Sequence, residues 1–214
     1  MRTKTLLLTA ALGLAGAATT MAQVYSVNAV GYVNVTMKGG FNMVANPLDA
    51  GAGNNTVSKL FPANSPAGLT VYKFGATGFD INTYDPDLGG WTDPNATLTP
   101  GEGAFVLVPG TGTFTVTFVG EVMQGHLVTD LPQGFSIRSS KVPQSGPLAG
   151  TLGFPIAAGD TIYRYDASSG YSIYAFDPDL GGWAPEEPSP AVGEAFWVAA
   201  LNAKQWVRDF NVNQ

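Results

Sequence analysis

The sequence predicts an all-β fold built from two tandem homologous sandwich- or barrel-like units, closely packed. Three observations carry that expectation. The heptapeptide Asp-Pro-Asp-Leu-Gly-Gly-Trp occurs twice, at Asp85–Trp91 and at Asp177–Trp183, and self-similarity at a fixed offset is the mark of a duplicated structural unit. Apolar residues alternate with polar ones at a period of two, which places one face of each segment on a core. Finally, 27 glycines and 15 prolines accompany only 12 % charged residues, a composition that supplies turns at short intervals between strands.

More than the heptapeptide aligns. Gly40-Phe41 corresponds to Gly134-Phe135, Val71–Phe74 ("VYKF") to Ile162–Tyr165 ("IYRY"), and Gly78-Phe79 to Gly170-Tyr171. Gly101-Glu102 corresponds to Gly193-Glu194, and Phe105-Val106 to Trp197-Val198. The expected boundaries are a leader over residues 1–22, a first unit over 23–121 and a second over 122–214. In the leader, Arg2 and Lys4 precede the apolar run Thr5–Ala18, and Ala22 offers a small residue for cleavage before Gln23. That is the layout of a secretory signal peptide, too short and wrongly flanked to span a membrane. No second long apolar run follows, so no membrane span is expected after its removal.

Taken in chain order, "YSVN" (Tyr25–Asn28) reads as a strand. Thr56–Phe61 is the one helical signal, about a turn and a half, stopped by Pro62. In "VYKF", Tyr72 and Phe74 share the face expected to be buried, with Lys73 outward; "IYRY" repeats this with Arg164 outward. Phe114, Val116 and Phe118 alternate with Thr115 and Thr117 in the strand that closes the first unit. Thr113–Thr129 leaves little linker, so the units are expected to pack tightly, even to share a sheet. Each should hold five or six strands. The terminal segments "YSVN" and "FNVN" (Phe210–Asn213) look like halves of the junction strand Phe118–Val122, which suggests head-to-tail pairing of copies as well as pairing within each unit.

The stretch "GFNMVANPL", then "VYKF", then "LTPGEGAFVLV" resembles a repeat of secreted bacterial β-repeat proteins: Gly-aromatic-Asn-Leu-Ile, Pro-Leu, an aromatic strand, and Leu-x-Pro-Gly-x-Gly-Phe. The second unit departs from it, with "GFSIRSSKVP" and "AVGEAFWV". "AQVYSVNAVGYVNV" is similar to the start of secreted proteins of Gram-negative bacteria. The resemblance implies a β-rich extracellular module and carries no activity, ligand or catalytic residue.

Composition narrows the function. The leader holds two of the ten basic residues and no acid, so the remainder carries eight basic and sixteen acidic side chains, a formal charge of −8. An acidic chain without a Lys/Arg cluster is a poor partner for nucleic acid or anionic membrane. With no cysteine there is no thiol nucleophile, Cys/His zinc site or disulfide. The single histidine, His126, stands where the first unit has Tyr32, which argues for packing or surface rather than a general base. Of the carboxylates, Glu102 and Glu194 recur in both units and read as turn residues before a core strand; Asp130, Asp160 and Glu187 lie off the repeat. No catalytic set emerges, and the expectation is a protein that is not an enzyme.

The repeated heptapeptide carries three readings. Asp caps a turn, Pro fixes φ and Gly-Gly permits positive φ, while Trp91 and Trp183 cap the core. Alternatively, Asp85 and Asp87, with Asp177 and Asp179, supply calcium ligands, although the usual third acid and distant bidentate Glu are missing. In the third reading Trp91 and Trp183 are stacking platforms for carbohydrate, flanked by Asp85, Asp87, Asp177 and Asp179. Two function classes follow. One is a non-catalytic secreted structural or interaction protein of the cell surface, matrix or periplasm, assembling with itself or binding surface glycans or proteins. The other is a carbohydrate-binding module, with or without calcium.

Overall fold

A computed structural model of the chain describes residues 29–213. The leader, the strand expected at Tyr25–Asn28 and Gln214 lie outside the described residues. The described residues are nearly all β, in two similar packed units, and among them no closed barrel forms.

The first unit holds β1 (Val30–Val44), α1 (Val57–Leu60), β2 (Thr70–Gly75), β3 (Gly78–Asp85), β4 (Gly90–Trp91) and β5 (Ala104–Glu121). Its sheet runs β1-β5-β2-β3-β4. The second holds β6 (Gly125–Leu131), β7 (Gly134–Arg138), β8 (Thr161–Asp166), β9 (Gly170–Asp177), β10 (Gly182–Ala184), β11 (Phe196–Ala200) and β12 (Lys204–Phe210). Its sheet runs β7-β11-β8-β9-β10, the same order, with β6 and β12 as a separate ribbon. The strand count differs for a physical reason. In the first unit one ribbon, β1 against β5, runs from Val30↔Glu121 to Val44↔Ala104 with only a register shift between Lys38 and Gly40. In the second, Pro132-Gln133 and Leu201–Ala203 break the corresponding ribbon into β6·β12 and β7·β11, because proline cannot donate to the ladder.

Each unit closes its core by laying the far half of that ribbon over the sheet. Met37, Val116 and Phe118 meet Val71, Val106, Leu98 and Phe61 in the first. Leu131 and Trp206 meet Ile162, Phe196, Val198 and Phe154 in the second. The alternation expected at Phe118, Val116 and the intervening threonines is present. Burying a ring such as that of Phe118 contributes about 1.5–3 kcal/mol. The helix lies where the sequence places it, with Val57 and Leu60 inward.

One orientation is inverted. Val71 and Ile162, not the tyrosines beside them, face the cores. Tyr72, Phe74 and Tyr165 sit on the opposite face, where the units meet. The face of Val71 also carries Lys73, and that of Ile162 carries Arg164, each paired with a glutamate at the rim of its core, so a basic residue in the strand did not mark the outward face.

The units do not share a continuous sheet. They are stitched by two isolated bridges, Val44↔Glu194 and Glu102↔Arg138. Ala45 N–H donates to Gly193 O at 2.9 Å, and Ser139 N–H to Gly101 O at 3.1 Å. Val44 corresponds to Arg138 and Glu194 to Glu102 in the repeat. The two bridges are therefore one contact made twice, about an approximate twofold axis between the units. Met43, Ala45, Phe105, Ile137 and Ala195 form a small core on that axis.

Candidate functional site

In both copies of the heptapeptide, the turn is built by its own side chains. Asp85 Oδ1 accepts from Asp87 N–H at 2.9 Å, and Asp177 Oδ1 from Asp179 N–H at 2.9 Å. A one-turn 3-10 helix follows, Pro86–Leu88 or Pro178–Leu180, ended by Gly89 (φ 92°) or Gly181 (φ 95°), left-handed positions open to glycine. The turn then delivers its tryptophan back to the unit core. The Trp91 ring lies 5.5 Å from that of Phe61 and 5.4 Å from that of Tyr84, and the Trp183 ring 5.4 Å from that of Phe176. Both rings are half-buried. Asp87 and Asp179 are exposed at the turn tips, and among the described residues no group of three or more His, Asp or Glu side chains converges as a cation cage would. A shallow cleft of about 390 Å³ beside Trp91 is lined by Ser58, Tyr84, Pro86 and Pro94 among others.

The repeated glutamates cap turns and anchor the basic residue of the neighbouring strand. Glu102 Oε2 accepts from Thr99 N–H at 2.8 Å while Oε1 lies 2.8 Å from Lys73 Nζ. Glu194 Oε2 accepts from Ala191 N–H at 2.9 Å, and its carboxylate takes both Arg164 Nε at 2.6 Å and Nη2 at 2.8 Å. This bidentate contact raises the Arg164 pKa above its ordinary value, with burial opposing it. Arg138, whose strand end bridges Glu102, has its pKa lowered by burial, against the pull of Glu102 and Asp130.

The acids off the repeat are dispersed and engaged. Asp130 accepts from Gln205 Nε2 at 2.9 Å. Glu187 Oε1 accepts from Ala149 N–H and Gly150 N–H at 2.6 and 2.9 Å. Asp160, buried, accepts from Ala157 N–H, Leu201 N–H and Lys204 Nζ. His126 is exposed on β6, with Nδ1 2.8 Å from Asp209 Oδ1.

The most distinctive surface lies elsewhere. Across the twofold axis, Phe74 packs on Trp197 (4.9 Å between centroids) and Phe105 on Tyr165 (5.6 Å), again one contact made twice. The pattern spreads outward: Phe41 meets Tyr72 at 5.6 Å as Phe135 meets Tyr163 at 5.9 Å, and Phe74 meets Phe79 at 5.1 Å as Tyr165 meets Tyr171 at 5.0 Å. Between the units this network leaves an open cleft of about 350 Å³ lined by Phe41, Tyr72, Phe79, Phe105, Tyr165 and Tyr171. Among the described residues, no charged side chain lines it. Its volume lies within the range of small-molecule sites, and edge-to-face packing fixes its rings. Periodicity gave no hint of this cleft. The available signal was the recurrence of aromatics on the parity of β2 and β8 opposite Val71 and Ile162.

No protein-family model, no curated protein and no solved structure matches this chain.

Proposed function

We propose that the chain is an exported, non-catalytic interaction protein of the cell surface, extracellular matrix or periplasm. The observation that carries this reading is the aromatic cleft: an uncharged, open face made jointly by two units, with no carboxylate, histidine or lysine among the described residues that line it. Such a face offers apolar contact area rather than proton transfer. Its partners are surface proteins or glycans, or further copies joined head-to-tail through the terminal strands. The acidic charge and the resemblance to secreted β-repeat modules support export and speak against nucleic acid.

The test pairs antibody labelling of intact producing cells with cosedimentation on isolated extracellular matrix. Wild-type chain should be found outside the cytoplasm and sediment with matrix, and Phe79→Ser with Tyr171→Ser should abolish sedimentation. Retention in the cytoplasm, or sedimentation indifferent to both changes, overturns the reading.

The cleft beside Trp91 favours a second reading, carbohydrate binding with or without calcium, since an aromatic ring there adjoins hydroxyl groups of Ser58 and Tyr84. Calorimetry against oligosaccharides, in calcium and then in chelator, tests it. Heat lost in Trp91→Ala would support it, and no heat in either buffer would remove it.

A further inference from the structure

We infer that the open part of the aromatic face is covered by a second copy of this chain, face to face, in a closed dimer. The inference deepens the interaction reading above, rests on it, and is independent of the terminal strands.

The strongest argument is continuity with an interface the molecule already contains. Within one chain, the outer face of the first unit's sheet packs against the same face of the second unit's sheet, through Phe74 on Trp197 and Phe105 on Tyr165. That face is thus complementary to a copy of itself. The internal contact covers only part of it. Phe79 remains 44 % exposed, Tyr171 52 %, Ile81 59 % and Ile173 55 %, and Phe41 and Phe135 are likewise exposed. Ile81 sits opposite Tyr72, and Ile173 opposite Tyr163, in the strand register, so both isoleucines extend the aromatic surface.

Symmetry restricts the assembly. The exposed residues come in repeat-related pairs, Phe79 with Tyr171, Ile81 with Ile173 and Phe41 with Phe135. A patch symmetric about its own axis pairs isologously, which closes at two copies instead of growing a filament.

Area agrees. Half-exposed side chains of this size present on the order of 100 Å² each, so the six together present about 600 Å². That is at the top of the range for the largest apolar patch on a monomer, about 300–600 Å², and a polar rim brings it to the roughly 800 Å² per partner of a specific complex. The cleft lining is uncharged, so no ion is stranded by covering it. Because both copies are acidic, screening their repulsion should tighten the dimer as salt rises.

The test is sedimentation equilibrium of the purified chain, with and without added salt. The expected result is a monomer–dimer equilibrium that stops at two copies and strengthens with salt. Ile81→Glu with Ile173→Glu should weaken it by on the order of a hundredfold through like charges facing each other. Both positions are more than half exposed, so melting curves will confirm that the variant folds. Since the chain has no cysteine, single Ile81→Cys and Asn211→Cys chains report position: a short bismaleimide should join dimers of the first and not the second. A monomer at every concentration overturns the inference while leaving other partners for the cleft. Larger species that survive the double change and crosslink through Asn211→Cys also overturn it, and point to joining at the chain ends.

Discussion

Gly103 and Ala195 occupy corresponding places in the two units and face each other on the approximate twofold axis. A β-carbon added at Gly103 would lie 2.5 Å from Ala195 Cβ and 2.6 Å from Ile137 Cγ2, where ordinary contacts are nearer 4 Å. Both neighbours are fully buried and neither is the tip of a flexible chain. Gly103→Ala should therefore force the units apart. Overpacking of this kind costs about 1–3 kcal/mol, and the lost glycine freedom of the unfolded chain returns about 0.4–1 kcal/mol. A net loss of about 1–2 kcal/mol lowers the melting temperature by roughly 2–8 °C in a chain of this size. Ala195→Gly alone should cost about 1 kcal/mol, mostly in backbone entropy. The two together should cost less than their sum, by about 1 kcal/mol, because the new methyl takes the space the old one leaves. Adding Ile137→Met, which copies Met43 of the first unit, should relieve the remaining contact. Denaturant melts of all four chains measure the coupling, provided the transition is two-state. A Gly103→Ala chain as stable as wild type, or strictly additive costs, would refute both the packing and the symmetry drawn from it.

Trp91→Ala and Trp183→Ala should each cost about 3 kcal/mol, toward the lower end for a tryptophan because both rings are half-buried; melts that barely move would mean that the rings do not hold the core. Lys204→Ala leaves the buried Asp160 carboxylate without its cation and should cost about 3–5 kcal/mol, whereas Asp160→Leu in the same chain, copying the buried Leu69 of the first unit, should recover only part of the loss, because the Ala157 and Leu201 N–H groups lose their acceptor; a neutral Lys204→Ala melt would contradict the pairing. Asp166 is exposed, and its pKa is lowered first by the Ser168 N–H and then by Lys38. A depressed carboxylate favours the folded state above its ordinary pKa and loses that contribution as pH falls through the depressed one. A carbon-detected NMR titration should show Asp166 depressed, still largely so in Lys38→Met and restored toward normal in Ser168→Pro; restoration by Lys38→Met alone would assign the effect to the ion pair instead.

The sequence by itself determined the class, the two similar units, the short helix at Val57–Leu60, and the architecture of the Asp-Pro-Asp-Leu-Gly-Gly-Trp turns. Each of these depends on local physics: strand parity, a proline that stops a helix, an Asp side chain two residues from the N–H that it caps. It also marked Glu102 and Glu194 as turn residues before a core strand, and in the structure each accepts from an N–H three positions before it. Tertiary structure decided the rest. Val71 and Tyr72 are both apolar, so only the pairing of β2 with β5 and the fold-over of the β1·β5 ribbon determine which side becomes the unit core. The partnership of Phe74 with Trp197, and of Gly103 with Ala195, joins residues about a hundred positions apart. No period within either unit encodes such a contact, because it exists only once two finished sheets meet about an axis.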